Sequence, residues 1–214
     1  MAAPYIYERQ TEYWTSRQVE ESLLDAGFDV IVFPLSQIAE AQLPADFIFF
    51  DRNTLKLFGF QYKALYHNGG DFWPVDSAQH QTLTKYPWVS YCLSELKDVR
   101  DHRLALHQAR IVEISKVSPP RITRSDFYNA ESSTFRTYRR WGAFLEAFRA
   151  CDPDSGIRVE SREHLMRLLF PDPQAPKREE LSRLVVDVFL ADLELRRILH
   201  FSPQLGPLER RPGE

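Results

Sequence analysis

The chain has 214 residues, enough to bury one sizeable hydrophobic core or a core with a small appendage. With 43% hydrophobic and 13% aromatic residues, its composition is typical of a globular protein and not of a disordered one. The net charge of −3 argues against a uniformly basic coat for nucleic acid, and no apolar run approaches the ~20 residues that a membrane span needs.

Cysteine usage and the first residues bear on where the protein works. Cys92 and Cys151 are the two cysteines and there is no Cys-x-x-Cys spacing, so a zinc site or a disulfide framework is not expected. The N-terminal segment lacks the basic region and apolar run of a signal peptide. We therefore expect a cytoplasmic protein.

A helix is predicted over residues 11–26, closed by Gly27. Its apolar side chains recur at helical spacing and are expected to form one broad buried face, composed of Tyr13, Val19, Leu23, Leu24 and Ala26. Glu20 falls inside that face. Its carboxylate either reaches solvent along the side-chain stem or points into a functional site.

Three strands are predicted next, over residues 28–33, 46–51 and 55–63, and a turn-forming Asp-Arg-Asn-Thr sequence joins the last two. Side chains alternate along a strand, so Gln61 and Lys63 share one face of the third strand, and Asp46 lies on one face of the second. If both faces point inward, an acid, an amide and an amine converge among apolar side chains. Burying such groups unpaired is costly, which favours a functional purpose.

The following stretch is predicted to mix helix and strand. The expected elements are a loop over 64–75, a helix capped by Asp76 or Ser77 and ending near residue 86, strands over 88–93 and 110–116 separated by a partly helical segment, and a linker or extended arm over 117–124.

The C-terminal part is expected to be helical, with helices over 125–150, 162–170 and 177–200 and a turn at 152–156. The apolar stripe of the last helix either packs on the core or forms a homodimer or partner-protein contact. Arg136, Arg139 and Arg140 lie on one side of the first of these helices. They form either a solvated face or a strip that contacts phosphates.

An aspartate followed after a gap by Gln-x-Lys, at Asp46 and residues 61–63, resembles the PD-(D/E)xK, or restriction-endonuclease-like, superfamily of metal-dependent nucleases. The predicted order of helix, three strands, helix and strand over residues 11–93 matches the αβββαβ core of that superfamily. Two departures are that Asp46 follows Pro44-Ala45 rather than a proline directly, and that Gln61 replaces the usual acid. A Gln-x-Lys form occurs in parts of the superfamily, including some modification-dependent restriction enzymes.

The resemblance implies an α/β fold, in which a mixed β-sheet is flanked by helices. Residues 1–118 would form the restriction-endonuclease-like core, and residues 119–214 a helical extension that packs on it. The implied activity is metal-dependent hydrolysis of phosphodiester bonds, with DNA the favoured substrate and endonuclease action favoured over exonuclease action. The alternative is a catalytically weak or inactive module of the same fold that binds nucleic acid or a partner protein.

The resemblance also implies a site for Mg²⁺ or Mn²⁺. Its expected ligands are Asp46, the side-chain oxygen of Gln61, the main-chain carbonyl of Tyr62 and Glu20, and Lys63 is expected beside the attacking water. Glu12 is a lesser candidate for the helix acid. For His67, His80 and Gln81, a surface or locally bonded role is favoured over catalysis. If the fold is as implied, the helix that contains Gln79 and Gln81 faces the cleft, and either of these two residues could contact substrate.

Overall fold

The computed structural model describes residues 3–34, 45–117, 120–123, 139–152 and 155–171. Several predicted elements fall elsewhere and lie outside the described residues. They are the connection over 35–43, most of the helix predicted over 125–150, and the helix predicted over 177–200 with its proposed dimer contact.

The described part of the chain contains both strands and helices, and residues 47–74 form four strands with no helix between them. The strands are β1 (Ala3–Pro4), β2 (Val30–Pro34), β3 (Phe47–Asp51), β4 (Lys56–Lys63), β5 (Tyr66–His67), β6 (Asp71–Pro74), β7 (Val89–Ser94), β8 (Ala109–Glu113), β9 (Arg121–Thr123) and β10 (Ile157–Arg158). The α-helices are α1 (Glu8–Asp25), α2 (Ser77–Leu83), α3 (Trp141–Arg149) and α4 (Arg162–Leu169), and 3₁₀ helices span Val99–Leu104 and Ile114–Lys116.

The larger sheet is mixed, as predicted, and its strands lie in the order β2-β3-β4-β7-β8. Strands β2, β3 and β4 form an antiparallel meander, β7 runs parallel to β4, and β8 runs antiparallel to β7. Strand β10 pairs with the first residues of β4, on the stretch that β7 leaves free. Gly59 and Phe60 of β4 therefore lie between β3 and β7, and the last residues of β4, 61–63, pair with β7.

Helices cover both faces of this sheet, in agreement with the predicted fold class. On one face, α1 and α3 pack against aromatic residues of β3 and β4 in a cluster that includes Phe49, Phe58, Phe60, Phe144 and Phe148. On the other face, the indole N–H of Trp88 donates to the main-chain oxygen of Leu168 in α4 at 2.8 Å. Apolar burial on both sides explains why β4 is buried along its whole length.

Gly59, in the middle of β4, allows the Trp88 ring to pack on the second face of the sheet. A Cβ atom at this position would lie 2.6 Å from Cζ3 of Trp88, well inside a normal contact distance. The absence of a side chain therefore lets the indole ring lie directly on the strand.

The first helix begins and packs differently from the prediction. Helix α1 begins at Glu8, three residues earlier, and Gly27 follows its end at a φ of +87°. Tyr13 and Leu24 were predicted to be buried, but they are 60% and 51% exposed. Val19 and Leu23 are buried as predicted, and the rest of the buried face consists of Thr11, Thr15 and Ser16. Small hydroxyl side chains let the helix lie close to the sheet, whereas the bulkier tyrosine and leucine point outward.

Two predicted loops contain strands. The loop predicted over 64–75 holds the hairpin of β5 and β6, whose turn contains Gly69 at a φ of +68°. The arm predicted over 117–124 holds β9, which pairs with β6. Together with β1, these strands form a second sheet in the order β1-β5-β6-β9. The pairs are too short for a periodicity of side chains to be visible in the sequence.

The other described elements follow their predictions with shifted ends. Asp76 caps α2 by accepting from the main-chain N–H of Gln79, but the helix ends at Leu83. The strand predicted over 110–116 ends at Glu113 and continues as a 3₁₀ helix. None of the helices in the described ranges combines the length and apolar character needed to cross a membrane.

The domain boundary at residues 118 and 119 stays a prediction. Residues from both sides of it, among them Val19, Phe58, Trp141 and Phe144, belong to one buried hydrophobic cluster.

Candidate functional site

Asp46 and Gln61 meet at the point where β3 begins and β4 ends. Asp46 directly precedes β3, and the antiparallel register places it opposite Gln61. The Nε2 atom of Gln61 donates to both carboxylate oxygens of Asp46, each at 2.8 Å, and the main-chain N–H of Tyr62 donates to Oδ2 at 2.6 Å. The predicted convergence of acid and amide is present, and Asp46 and Gln61 are only 6% and 4% exposed.

Lys63 ends β4 beside this pair and is 8% exposed. Its Nζ atom lies 3.7 Å from Oε1 of Glu8, the first residue of α1. The second oxygen of the same carboxylate accepts from the main-chain N–H of Ala64 at 3.3 Å. Glu8 therefore connects the start of α1 to the end of β4 and holds the ammonium group at the edge of the site.

The first helix is also attached to β4 through a buried pair of hydroxyl groups. Ser16 Oγ donates to the phenol oxygen of Tyr62 at 2.7 Å. Tyr62 alternates with Gln61 and Lys63 along the strand, so its side chain points toward α1 while those two point to the other face. This contact brings the first two turns of α1 close to Asp46.

Burial and neighbouring acids make Asp46 unusual. The pKa of its carboxyl is raised to about 8, chiefly by burial and next by the nearby charge of Glu12. Glu8 adds a smaller effect of the same sign, whereas the N–H of Tyr62 and the charge of Lys63 lower the pKa. Glu8 and Glu12 thus both act against ionisation of Asp46, and a cation placed beside the carboxylate would act in the opposite direction.

The helix acids at this site are Glu8 and Glu12 rather than Glu20. Glu20 is half-buried and, within the described residues, no hydrogen bond or ion pair joins it to Asp46, Gln61 or Lys63. It lies eight residues beyond Glu12, which is about 12 Å along the helix axis. The burial of Thr11 and Ser16 turns Glu12 toward the site, and this rotation could not be read from the apolar residues.

Glu8 was missed because the predicted helix began at residue 11. The spacing of Glu8 and Glu12 contains a usable signal, since side chains four residues apart in a helix lie on the same face. Two acids at this spacing, in the first turns of a helix that packs on the Gln61 strand, would have indicated the acidic site.

Two residues of the predicted phosphate-contacting strip, Arg139 and Arg140, are described, and both form ion pairs within the protein. Arg139 lies 3.4 Å from the carboxylate of Asp152, and Arg140 lies 2.8 Å from that of Glu95. Arg140 also donates to the main-chain oxygen of His107. Both arginines therefore serve as intramolecular partners, while Arg136 lies outside the described residues.

The predicted substrate-facing helix, α2, presents a histidine to the sheet. His80 Nδ1 lies 3.2 Å from the phenol oxygen of Tyr91, whose residue pairs with Gln61 in the parallel register of β4 and β7. Burial lowers the pKa of His80. Gln81 is exposed on the same helix, and His67 is paired with Asp71 at 3.0 Å.

The donor set of the site consists of oxygen atoms. Carboxylates, an amide oxygen and a main-chain carbonyl suit the hard cations Mg²⁺ and Mn²⁺, and the charge balance around Asp46 favours such a cation. Among the described residues, no group of three or more His, Cys, Asp or Glu side chains is close enough to hold a metal ion. The predicted ligands Asp46 and Gln61 lie together, but Gln61 presents Nε2 rather than its oxygen to the carboxylate.

Comparisons of this chain with protein families, with curated proteins and with solved structures found no match. Function must accordingly be inferred from the site itself.

Proposed function

We propose that this protein is a metal-dependent nuclease that hydrolyses phosphodiester bonds, with DNA as substrate and endonuclease action. The observation that carries the proposal is the buried Asp46 carboxyl, which lies between Gln61, two acids of α1 and the ammonium group of Lys63. A strongly perturbed carboxyl with a nearby lysine is typical of sites where a cation and an anionic substrate meet.

The topology supports the same proposal. From α1 to β7 the described residues form a helix, an antiparallel meander, a second helix and a strand parallel to the third strand, with the β5–β6 hairpin inserted before the second helix. Apart from that insertion, this is the order of an αβββαβ restriction-endonuclease-like core. The candidate residues lie on the second and third strands of the meander, where the superfamily resemblance expects them. We propose that residues 1–118 form this core.

Mg²⁺ or Mn²⁺ would be held by Asp46, Glu12, the Gln61 side-chain oxygen and the Tyr62 main-chain carbonyl. When bound, such a cation supplies Lewis-acid polarisation of the scissile phosphate. The Gln61 amide must rotate to present its oxygen, because its Nε2 donates to Asp46. The N–H of Tyr62 would continue to orient the Asp46 carboxylate through Oδ2.

Lys63 would act on the reacting groups. Its Nζ atom can donate to the attacking water and to a phosphate oxygen, and its positive charge offsets the negative charge that develops in the transition state. Glu8, at 3.7 Å, positions this ammonium group. Buried surroundings strengthen these electrostatic interactions relative to those in water.

A second candidate function is an inactive module of the same fold that binds nucleic acid or a partner protein. The observation that favours it is the pair of hydrogen bonds by which Gln61 occupies both oxygens of Asp46. A neutral amide at this position also supplies less charge for a cation than a glutamate would. The cytoplasmic location is common to both candidates and stays a prediction.

The test is incubation of the purified chain with supercoiled plasmid, linear duplex and single-stranded DNA, with Mn²⁺ or with EDTA, beside the Lys63→Met variant. We expect Mn²⁺-dependent nicking of the closed plasmid and its loss, by about a hundredfold or more, in the variant. Equal cleavage by the variant would overturn the role of Lys63. A chain that leaves all three substrates intact but is stabilised by Mn²⁺ would favour the inactive module.

A further inference from the structure

A groove of about 490 Å³ lies between α1 and the 3₁₀ helix Val99–Leu104, apart from the cluster around Asp46. The side chains that matter for its chemistry are aromatic or charged, and they are Tyr13, Trp14, Arg17, Glu21, His102 and Arg103. None of them was predicted to belong to a functional site.

The side chain of Gln18 bridges the two walls of this groove. Gln18 of α1 donates through Nε2 to the main-chain oxygen of His102 at 2.8 Å. Its Oε1 atom accepts from the main-chain N–H of Leu106 at 2.9 Å. With both ends of the amide bonded to the opposite wall, the width of the groove is preorganised for a ligand.

Aromatic rings form much of the surface. Tyr13 is largely exposed, although tyrosine is normally at least partly buried. Trp14 is half-buried and packs against the ring of His102 with centroids 5.5 Å apart. Exposed ring faces of this kind bind unpaired nucleobases by stacking, with little dependence on sequence.

The charges of the groove favour an anion. Arg17 is paired with Glu21 at 2.8 Å, so these two charges offset each other. Arg103 is exposed and, within the described residues, forms no ion pair. The groove therefore carries a surplus positive charge, in a chain whose first 60 residues contain four basic and nine acidic side chains.

The groove and the candidate active site share helix α1. Tyr13 directly follows Glu12, and Arg17 lies little more than one helical turn, about 5.4 Å, farther along α1. We propose that this groove binds a single-stranded stretch of polynucleotide, with a base stacked on Tyr13 and a backbone phosphate bound by Arg103. The inference rests on the proposed function, because it names the strand that the nuclease would hold.

The test measures binding separately from cleavage. Anisotropy of a short labelled oligo-dT strand is recorded with the full chain in EDTA, where metal-dependent cleavage is blocked. We expect Tyr13→Ala to weaken binding about tenfold, since stacking of one base contributes about 1–3 kcal/mol, and Tyr13→Phe to bind like the parent. Arg103→Ala should weaken binding and reduce the salt dependence by about one counterion.

Arg100→Ala is the matched control, because Arg100 is equally charged but is paired with Asp98 outside the groove lining. Tyr13 and Arg103 are both exposed, so the melting temperatures of their variants should equal that of the parent. Failure of the parent to bind the strand, or equal losses in Arg103→Ala and Arg100→Ala, would overturn the inference.

The two proposals can fail separately. Binding that depends on Tyr13 without any metal-dependent cleavage would uphold the groove and count against the nuclease. Cleavage that depends on Lys63, together with unchanged strand binding by Tyr13→Ala, would uphold the nuclease and overturn the groove.

Discussion

The β3–β4 hairpin buries an acid at each of its two ends, and the two ends differ in chemistry. At the turn, Asp51 is fully buried and faces Lys56 across the strands. Its carboxylate accepts from the main-chain N–H groups of Asp29 and Thr54, at 3.0 and 2.9 Å. Lys56 is buried as well, and its Nζ donates to the main-chain oxygen of Phe148 at 2.9 Å.

At the open end, Asp46 lies on the opposite face and has a different set of neighbours. One main-chain N–H and the amide of Gln61 donate to it, while Glu8 and Glu12 add negative charge. The turn end thus holds its buried charges with hydrogen bonds inside the fold, whereas at the open end Glu8 and Glu12 act against ionisation of Asp46. Burial of a polar residue in a strand does not by itself identify a site; a carboxyl whose pKa is strongly shifted is the better criterion.

The largest expected effect concerns the pH dependence of stability at Asp46. The pKa of about 8 in the folded chain is well above the ~3.9 of an unfolded aspartate. Between about pH 4 and about pH 8, the folded state therefore holds a proton on Asp46 that the unfolded state has lost. The stability that this group contributes is fully present below about pH 4 and is lost as the pH rises to about 8. The full loss is on the order of 5 kcal/mol.

Asp46→Asn should remove this dependence. The stability of the variant relative to the parent, measured by urea unfolding, is expected to increase from pH 4 to pH 8 and to level off above pH 8. A constant difference across this range would show that the Asp46 carboxyl ionises normally. Asp51→Asn gives the matched measurement at the other end of the hairpin.

Asp51→Ala, at the turn end, is expected to destabilise the protein more than Asp46→Ala at the open end. It leaves the main-chain N–H groups of Asp29 and Thr54 without their acceptor and should cost about 2–4 kcal/mol of unfolding free energy. Asp46→Ala at pH 8 should cost less, because it also removes an unfavourably placed carboxyl. Urea unfolding gives the free energy of unfolding of both variants. The prediction is wrong if Asp46→Ala is the less stable protein.

Periodicity along the strands made the hairpin predictable. Alternation placed Asp46 with Gln61 and Lys63 on inward faces, and the two strands bury those faces as expected. The Asp51 turn was predicted from its residue types, and its side chain makes the local hydrogen bonds that favour such turns.

The rotation of α1 could not be predicted in the same way. Buried Thr15 and Ser16 carry no apolar signal, and Tyr13 is exposed although it is aromatic. The helix also begins after Tyr7, whose side chain makes no capping hydrogen bond, so the sequence has no start signal there. Both effects moved the predicted helix acid from Glu12 to Glu20, because tertiary packing decides which face of a helix is buried.

Gln61→Glu would turn the open end into a stronger cation site. Without metal, a third nearby acid should lower the melting temperature at pH 8, because like charges are placed opposite each other. With Mn²⁺, the variant should bind on the order of tenfold or more tightly than the parent, because ligand charge sets the affinity. The shift of the melting temperature with Mn²⁺ concentration measures this affinity. If Lys56→Gln, at the turn end, shifted as much as Gln61→Glu, the Mn²⁺ would be bound elsewhere.

The smallest expected effect separates the two candidate helix acids. Glu12→Gln removes a charge that raises the pKa of Asp46, so the midpoint of the pH-dependent stability should move to lower pH. Cleavage in Mn²⁺ should also fall, by about tenfold, if Glu12 holds or orients the cation. Glu20→Gln removes the same charge from the same helix about 12 Å away and should change neither quantity. A larger effect at Glu20 than at Glu12 would restore the original prediction and require α1 to rotate when the cation binds.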